Sequence, residues 1–346
     1  MYRWGFGESG QCNKNLGASF LLVYRIGDCQ EVFERHAAAK DVIFSLGEKK
    51  SISTSNIMEM ENVHLSSLPG IHAFADRALL GMLKSFAGIH REQSIKAWEN
   101  DYRLGAGVGA YSVEMSFGLD AGWAMEGAVG SSYKIDATYL SPHVNMASRM
   151  MAACKQYNLT ILFTENVAEL LSTEANNVVR HIDTVTVKGS SEPMKIFTYD
   201  ARHKGNDFFL HNRSDKDADK DAMNCSSSIW KTDADLREMR SHITPEFLNS
   251  YRTGLSQYLN GSFEDAVKSF RLANELMIES VIDEGKIPNV SALGSKLLDP
   301  DSIDDDVQYL RKEFGDGPCQ TLIAFIESKN FKAPTDWQGF RKLTSK

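Results

Sequence analysis

The apolar residues of this chain recur in two rhythms that alternate along its first two hundred positions. Leu16 to Ile26 is aliphatic and aromatic around Gly17, which predicts a strand, a tight turn and a second strand. From Gly27 to Ser67 the chain is polar and mixed in charge, with one short apolar patch between Val32 and Phe44, and reads as an insertion or connection over 27–67. After Pro69-Gly70, residues Ile71, Phe74, Ala75, Ala78, Leu79, Met82, Leu83 and Phe86 repeat at helical spacing. An amphipathic helix ending near His90, and covering one face of a sheet, is predicted. Val113, Met115 and Phe117 alternate, a second apolar stretch broken by Gly127 and Gly130 follows, and the two predict a hairpin. Pro142 then opens a helix to Tyr157 with Met146, Ala147, Met150, Met151 and Cys154 at helical spacing. Thr160 to Thr164, His181 to Val187 and Met194 to Tyr199 read as strands, with a helix from Asn166 to Leu171 between the first two. Strands separated by helices and closed by a hairpin predict an α+β sheet layered with helices.

Beyond residue 202 the pattern changes. Residues 203–240 contain Asp215-Lys-Asp-Ala-Asp-Lys-Asp221 and a serine run, and read as a polar linker. Thr244-Pro245 can start a helix; Phe247, Tyr251, Leu255 and Leu259, then Phe263, Ala266, Phe270, Ala273 and Leu276, give two helices broken at Asn260-Gly261. The pair is like one tetratricopeptide hairpin, but no second copy follows at that period. The expected organisation is therefore 1–202, a linker over 203–240, and an all-α region over 241–346. The acidic stretch Asp299 to Asp306 lacks EF-hand ligand spacing and reads as a solvated loop or a first helical turn.

Composition narrows the classes. At 346 residues the chain exceeds the roughly 100–200 residues of one domain, which agrees with two units. Hydrophobic residues at 42% and charged residues at 24% are those of a folded globular chain rather than a disordered one. A net charge of −8 without clustered Lys or Arg argues against nucleic-acid binding. The five cysteines are scattered, odd in number and without a C-x-x-C pair, so neither a disulfide framework nor a zinc site is expected and a reducing compartment is. The longest apolar run, Phe20 to Tyr24, is far too short to span a bilayer, and no basic-then-apolar leader opens the sequence. A cytoplasmic chain is expected, with membrane association only through a partner or a preceding segment. Gly105-x-Gly-x-Gly109 has the wrong spacing for a phosphate loop and reads as a connection.

Four stretches carry more specific information. Met115 to Gly130 contains a repeated G-x-x-x-x-G-x-x-G pattern; Tyr133 to Arg149 contains Leu140-Ser-Pro-His-Val-Asn-Met-Ala-Ser-Arg149; Lys14-Asn-Leu-Gly-Ala-Ser-Phe20 and Val185-Thr-Val-Lys-Gly189 flank them. In this order they resemble the catalytic domain of class III adenylate and guanylate cyclases, whose V-N-x-A-x-R helix start is the most diagnostic of the four. The resemblance covers about Cys12 to Asp200, and the Leu-Ser-Pro variant looks like cyclase domains of large protist signalling proteins. It implies a ferredoxin-like nucleotide cyclase sheet with helices, here read as lacking the family's first strand and helices and followed by an all-α unit.

The chemistry so implied is attack of the ATP ribose 3′-hydroxyl on the α-phosphorus, closing cyclic AMP and releasing pyrophosphate. By resemblance, Arg149 is the fixed cation on the transferring phosphorus and Asn145 orients the ribose; four residues apart on a helix, they share one face. Lys14 and Thr138 fall where the family reads the purine and favour adenine, and Lys188 falls where the β- and γ-phosphates are held, a point-charge role that suits lysine. Taken alone, each has a plainer reading: a solvated helix arginine, a local cap, a strand-edge hydroxyl, two surface lysines. The surrounding motif reverses that weighing. Asp136, beside Thr138, reads as a turn aspartate bonding nearby amides and is given no metal role.

The family's second metal aspartate would follow Gly17, where this chain has Ala18. The family's first metal aspartate lies on a strand preceding this segment. No metal ligand is therefore assigned, and Mg²⁺ or Mn²⁺ is expected only if a partner supplies the aspartates. The family pairs head to tail, one member giving metal ligands and the other the Asn, Arg and Lys set. The expectation is thus an ATP-directed phosphorus-oxygen lyase domain that needs another cyclase domain and is inactive alone. The alternative is a catalytically dead pseudo-cyclase acting as a regulatory or scaffold protein. Loss of a strand should also leave an unpaired sheet edge.

Overall fold

A computed structural model describes residues 10–27, 31, 32, 34, 65–96, 98, 101, 103, 114–187, 192–201, 227–284 and 305–343. Strand β1 (Gly10–Leu16) turns back into β2 (Ser19–Tyr24), with Leu16 opposite Ser19. The two-residue loop needs a left-handed residue, and Gly17 supplies it at φ 64°. Helix α1 (Ile71–Arg91) starts after Gly70, also left-handed at φ 73°, and buries Leu79, Leu83 and Phe86, as the helical spacing predicts.

The expected hairpin is built differently. Phe117–Leu119 forms β3, which leaves for the main sheet; the hairpin is β4 (Met125–Gly130) against β5 (Ile135–Leu140), with Gly127 opposite Thr138. Its turn is closed by the Ser131 amide donating to the Lys134 carbonyl at 2.8 Å. Helix α2 (Pro142–Tyr157), β6 (Ile161–Thr164), β7 (Arg180–Thr186) and β8 (Met194–Thr198) follow. β6 runs parallel to β3 and antiparallel to β8, which pairs with β7. Gly118 of β3 lets α2 press directly on the sheet: a Cβ there would lie 2.1 Å from the Ala147 carbonyl oxygen and 2.3 Å from the Met151 amide. Backbone atoms cannot rotate aside, so Gly118→Ala is expected to lower the urea midpoint by the equivalent of about 1–3 kcal/mol.

Part of the stretch read as linker is packed. Helices α3 (Ile229–Thr232) and α4 (Ala234–Met239) lie on α1, burying Trp230, Leu236 and Met239. The buried Lys84 ammonium donates to Asp233 at 2.5 Å and to Asp235 at 2.8 Å, and Arg91 also bonds Asp235. Burial alone would raise the Asp235 carboxyl; the hydrogen bond from Arg91 and the charge of Lys84 bring it below the ordinary aspartate value.

Helices α5 (Pro245–Leu259) and α6 (Phe263–Asp283) break at Asn260-Gly261, where Gly261 has φ 83°. After α7 (Asp305–Phe314) and α8 (Gly317–Glu327), a two-residue strand β9 (Arg341–Lys342) joins the main sheet parallel to β7. The order is β3-β6-β8-β7-β9. The helices after 245 are thus packed against this sheet and α2: the buried Tyr251 hydroxyl donates to the Ile182 carbonyl of β7 at 2.8 Å, and Thr321 to the Gln156 carbonyl of α2 at 2.8 Å. Among the described residues, the second edges of β2 and β3 have no partner strand, and both border the same cleft.

Candidate functional site

The start of α2 is fixed by its cap. Ser141 Oγ accepts from the His143 amide at 2.9 Å and donates to the Trp123 carbonyl at 2.6 Å, tying the helix to the connection before β4. At about 3.6 residues per turn, His143, Val144 and Ala147 fall on one side of α2, and Asn145 and Arg149 on the other. The first group lines a cleft with β2, α1 and the Gly118–Ala124 segment. The second group turns away from it: Asn145 is exposed and Arg149 half-buried, and neither bonds a described residue.

Thr138 is half-buried on β5; its neighbour Tyr139 lines the cleft, so by strand alternation Thr138 faces away from it, like Asn145 and Arg149. Lys14 is half-buried on β1, opposite Leu21, and β1 touches β5. Lys188 lies outside the described residues, one position beyond the buried Val187. The cleft and the pair Asn145 and Arg149 are therefore on opposite sides of α2. The second is an open face rather than a pocket. Asp136 proves to be a strand residue, opposite Val129 and paired with Lys134 at 3.2 Å, because the turn has already ended.

The β4–β5 ribbon that leads into α2 is exposed along all of β4 and most of β5. Met125 is 66% exposed, Ile135 71% and Tyr133 97%, and Trp123, Val129 and Leu140 add to the same apolar ribbon. A two-stranded ribbon is marginal in water, and apolar surface of this kind marks an interface.

One cluster was missed by sequence reasoning. The Asp120 carboxylate, at the end of β3, accepts from Thr164 Oγ1 at 2.5 Å, Asn166 Nδ2 at 3.1 Å and His143 Nδ1 at 2.8 Å. Gly122 packs on the same imidazole, where a Cβ would lie 2.1 Å from His143 Nε2. The signal was a lone aspartate directly after a buried strand, too common to single out. The carboxylate is committed to these donors, Ala18 offers no oxygen, and among the described residues no three His, Cys, Asp or Glu side chains could hold a metal ion. The described residues do not fit the octahedral oxygen set a Mg²⁺ ion demands. Burial pushes the Cys154 thiol up to about 12 and Cys319 well above its usual value, so neither is a nucleophile at neutral pH.

Residues 25–203 match the family model described as the adenylate and guanylate cyclase catalytic domain; Lys14 and Ala18 lie before the matched residues. The terminal-differentiation-specific adenylate cyclase of Dictyostelium discoideum is 29% identical over 178 residues, 51% of this chain and 7% of that protein. An adenylate cyclase of Anabaena cylindrica is 33% identical over 113 residues, 32% of this chain and 22% of that protein. The chain thus spans under a quarter of the length of either curated relative. Among solved structures, a bacterial light-regulated adenylyl cyclase matches at 20% identity and TM-score 0.29, covering 51% of this chain and 46% of that one. An adenylyl cyclase from P. aeruginosa matches at 18% identity and TM-score 0.26, covering 49% and 78%.

Proposed function

The chain belongs to the adenylate and guanylate cyclase catalytic-domain family, and on that premise we propose that it is an adenylate-directed domain supplying the nucleotide-handling half of a two-domain site. The carrying observation is the open face of α2, where Asn145 and Arg149 stand one turn apart without described partners, together with the exposed apolar ribbon that leads into this helix. In this reading Arg149 meets the charge developing on the α-phosphorus, Asn145 holds the ribose, Thr138 and Lys14 read adenine, and Lys188 holds the terminal phosphates. A site that turns away from its own cleft and lies beside uncovered apolar surface is half of an interface. The partner is a second cyclase domain docked head to tail, and the carboxylates for Mg²⁺ or Mn²⁺ are that partner's contribution.

The test is a cyclase assay with Mn²⁺ on this chain alone and mixed with an intact homologous domain. Cyclic AMP from the mixture only is the expected result; product from this chain alone would overturn the division of labour. Association should depend on the ribbon. Ile135→Asp is expected to weaken pairing by about tenfold or more in analytical ultracentrifugation, since it places a charge in a desolvated contact.

Ala18 favours a second reading, a non-catalytic regulatory domain. ATP titration separates the two: affinity that falls in Arg149→Ala supports a working nucleotide site, and no affinity supports the regulatory role. Tyr251 on α5 spends its hydroxyl on β7, so this side of the helical pair is turned to its own sheet rather than to a docked protein.

A further inference from the structure

The polypeptide after α8 reaches back to the sheet and packs on β7 and on α2, the helix that carries Asn145 and Arg149. Arg341 and Lys342 pair with Val185 and Thr186 of β7, the Leu343 amide donates to the Thr186 carbonyl at 2.9 Å, and the Leu343 side chain packs on the cluster formed by α2, β6, β7 and β8. Arg341 Nε donates to Asp183 Oδ2 at 2.8 Å, and the Tyr157 hydroxyl, from the last turn of α2, donates to the same oxygen at 2.7 Å. Asp183 is fully buried and Arg341 is 12% exposed, its guanidinium lying 5.2 Å from the Tyr157 ring centre and 5.4 Å from that of Phe325 on α8. Burial drives the Asp183 carboxyl upward, and Arg341, Tyr157 and the Thr184 amide pull it back. Gly317, the first residue of α8, approaches so closely that a Cβ would lie 2.1 Å from the Tyr157 carbonyl oxygen.

We propose that Arg341, Asp183 and Tyr157 form a latch through which the C-terminal segment 305–343 sets the seating of α2 against β7, and so positions Asn145 and Arg149 relative to the end of β7 and the adjoining Val187. This rests on the function proposed above. None of the three touches the nucleotide in that reading; they are positioning residues. The geometry points to it because Arg341 from the tail and Tyr157 from α2 both donate to one carboxylate oxygen of β7, Asp183 Oδ2. Removing the cation leaves Asp183 buried with neutral donors only, and the carboxylate then takes up a proton or the tail separates.

The experiment compares this chain with Arg341→Met, Arg341→Lys and Ile229→Ala, the last a buried α3 residue in a different core cluster from Tyr157. Hydrogen exchange over residues 142–157 and 180–187, and kcat and KM in the mixed cyclase assay, are measured below the melting temperature of every variant. Arg341→Met is expected to speed exchange in both segments while sparing α1, and to lower kcat roughly ten- to a hundred-fold, the scale of an ångström of misplacement. Arg341→Lys should recover part of both, and Ile229→Ala should change neither. Unchanged exchange over 142–157 in Arg341→Met, or an equal effect from Ile229→Ala, overturns the latch. If the wild-type mixture makes no cyclic AMP, the proposed function falls, and the exchange comparison still decides the latch by itself.

Discussion

On the function proposed above, Arg149→Ala in a mixture with an intact partner domain is expected to lower kcat for cyclic AMP formation by about 10²–10³-fold, with a much smaller change in KM. The reasoning starts from where the charge lies. Negative charge on the α-phosphoryl oxygens grows as the 3′-oxygen approaches, so a fixed guanidinium gains more in the transition state than with bound ATP. Arg149 is suited to that role because no described residue neutralises it: it is half-buried and on the outer face of α2. Arg149→Lys keeps the charge and loses the planar fork, and should recover only part of the rate. An unchanged melting temperature in both variants separates the catalytic loss from misfolding. If Arg149→Ala keeps full activity in the mixture, the assignment of this helix face is wrong.

Arg180→Ala carries the largest expected cost in stability. Its guanidinium is buried and bonds Asp200 at 2.6 Å and Asp316 at 2.8 Å, while the Phe247 and Tyr251 rings lie 4.9 Å and 4.3 Å from its centre. One side chain on β7 thereby joins the end of β8, the cap of α8 and the first turns of α5. Its loss strands two buried carboxylates, and breaking a buried pair by removing one partner costs about 3–5 kcal/mol. At about 2–4 °C per kcal/mol for a chain of this size, the melting temperature should fall by roughly 10 °C. Arg180→Ala with Asp200→Asn should be less damaged than the sum of the single changes, because one of the stranded charges is gone. Simple additivity of the two, measured by chemical denaturation, would show that the carboxylates are solvated when Arg180 is absent.

Much of the framework could be read from the chain because it repeats. The Pro142 start and the apolar spacing of α2, the Gly17 turn, and the runs that became β7 and β8 each carry a periodicity that survives without tertiary context. The outward face of α2 was legible for another reason, since Asn145 and Arg149 sit in a motif whose spacing fixes them on one side. The β4–β5 ribbon was misread because both its faces are exposed, which leaves no alternation to separate it from the apolar positions before it. β9 has two residues, too few for any period, and its place is set by Asp183 across the fold. The packing of α3 and α4 was hidden in the same way. Asp233 and Asp235 look like part of a solvated acidic stretch until Lys84, distant in sequence, is placed against them.

The parallel pairing of the tail with β7 has a consequence for synthesis. Arg341 emerges from the ribosome 158 residues after Asp183, an interval of roughly 8–30 s at typical elongation rates of about 5–20 residues per second. Throughout that time the nascent sheet has an uncovered border and an aspartate whose cation has not yet been made. Chaperones that shield β edges would have their longest opportunity there, and this border is covered only when β9 leaves the exit tunnel.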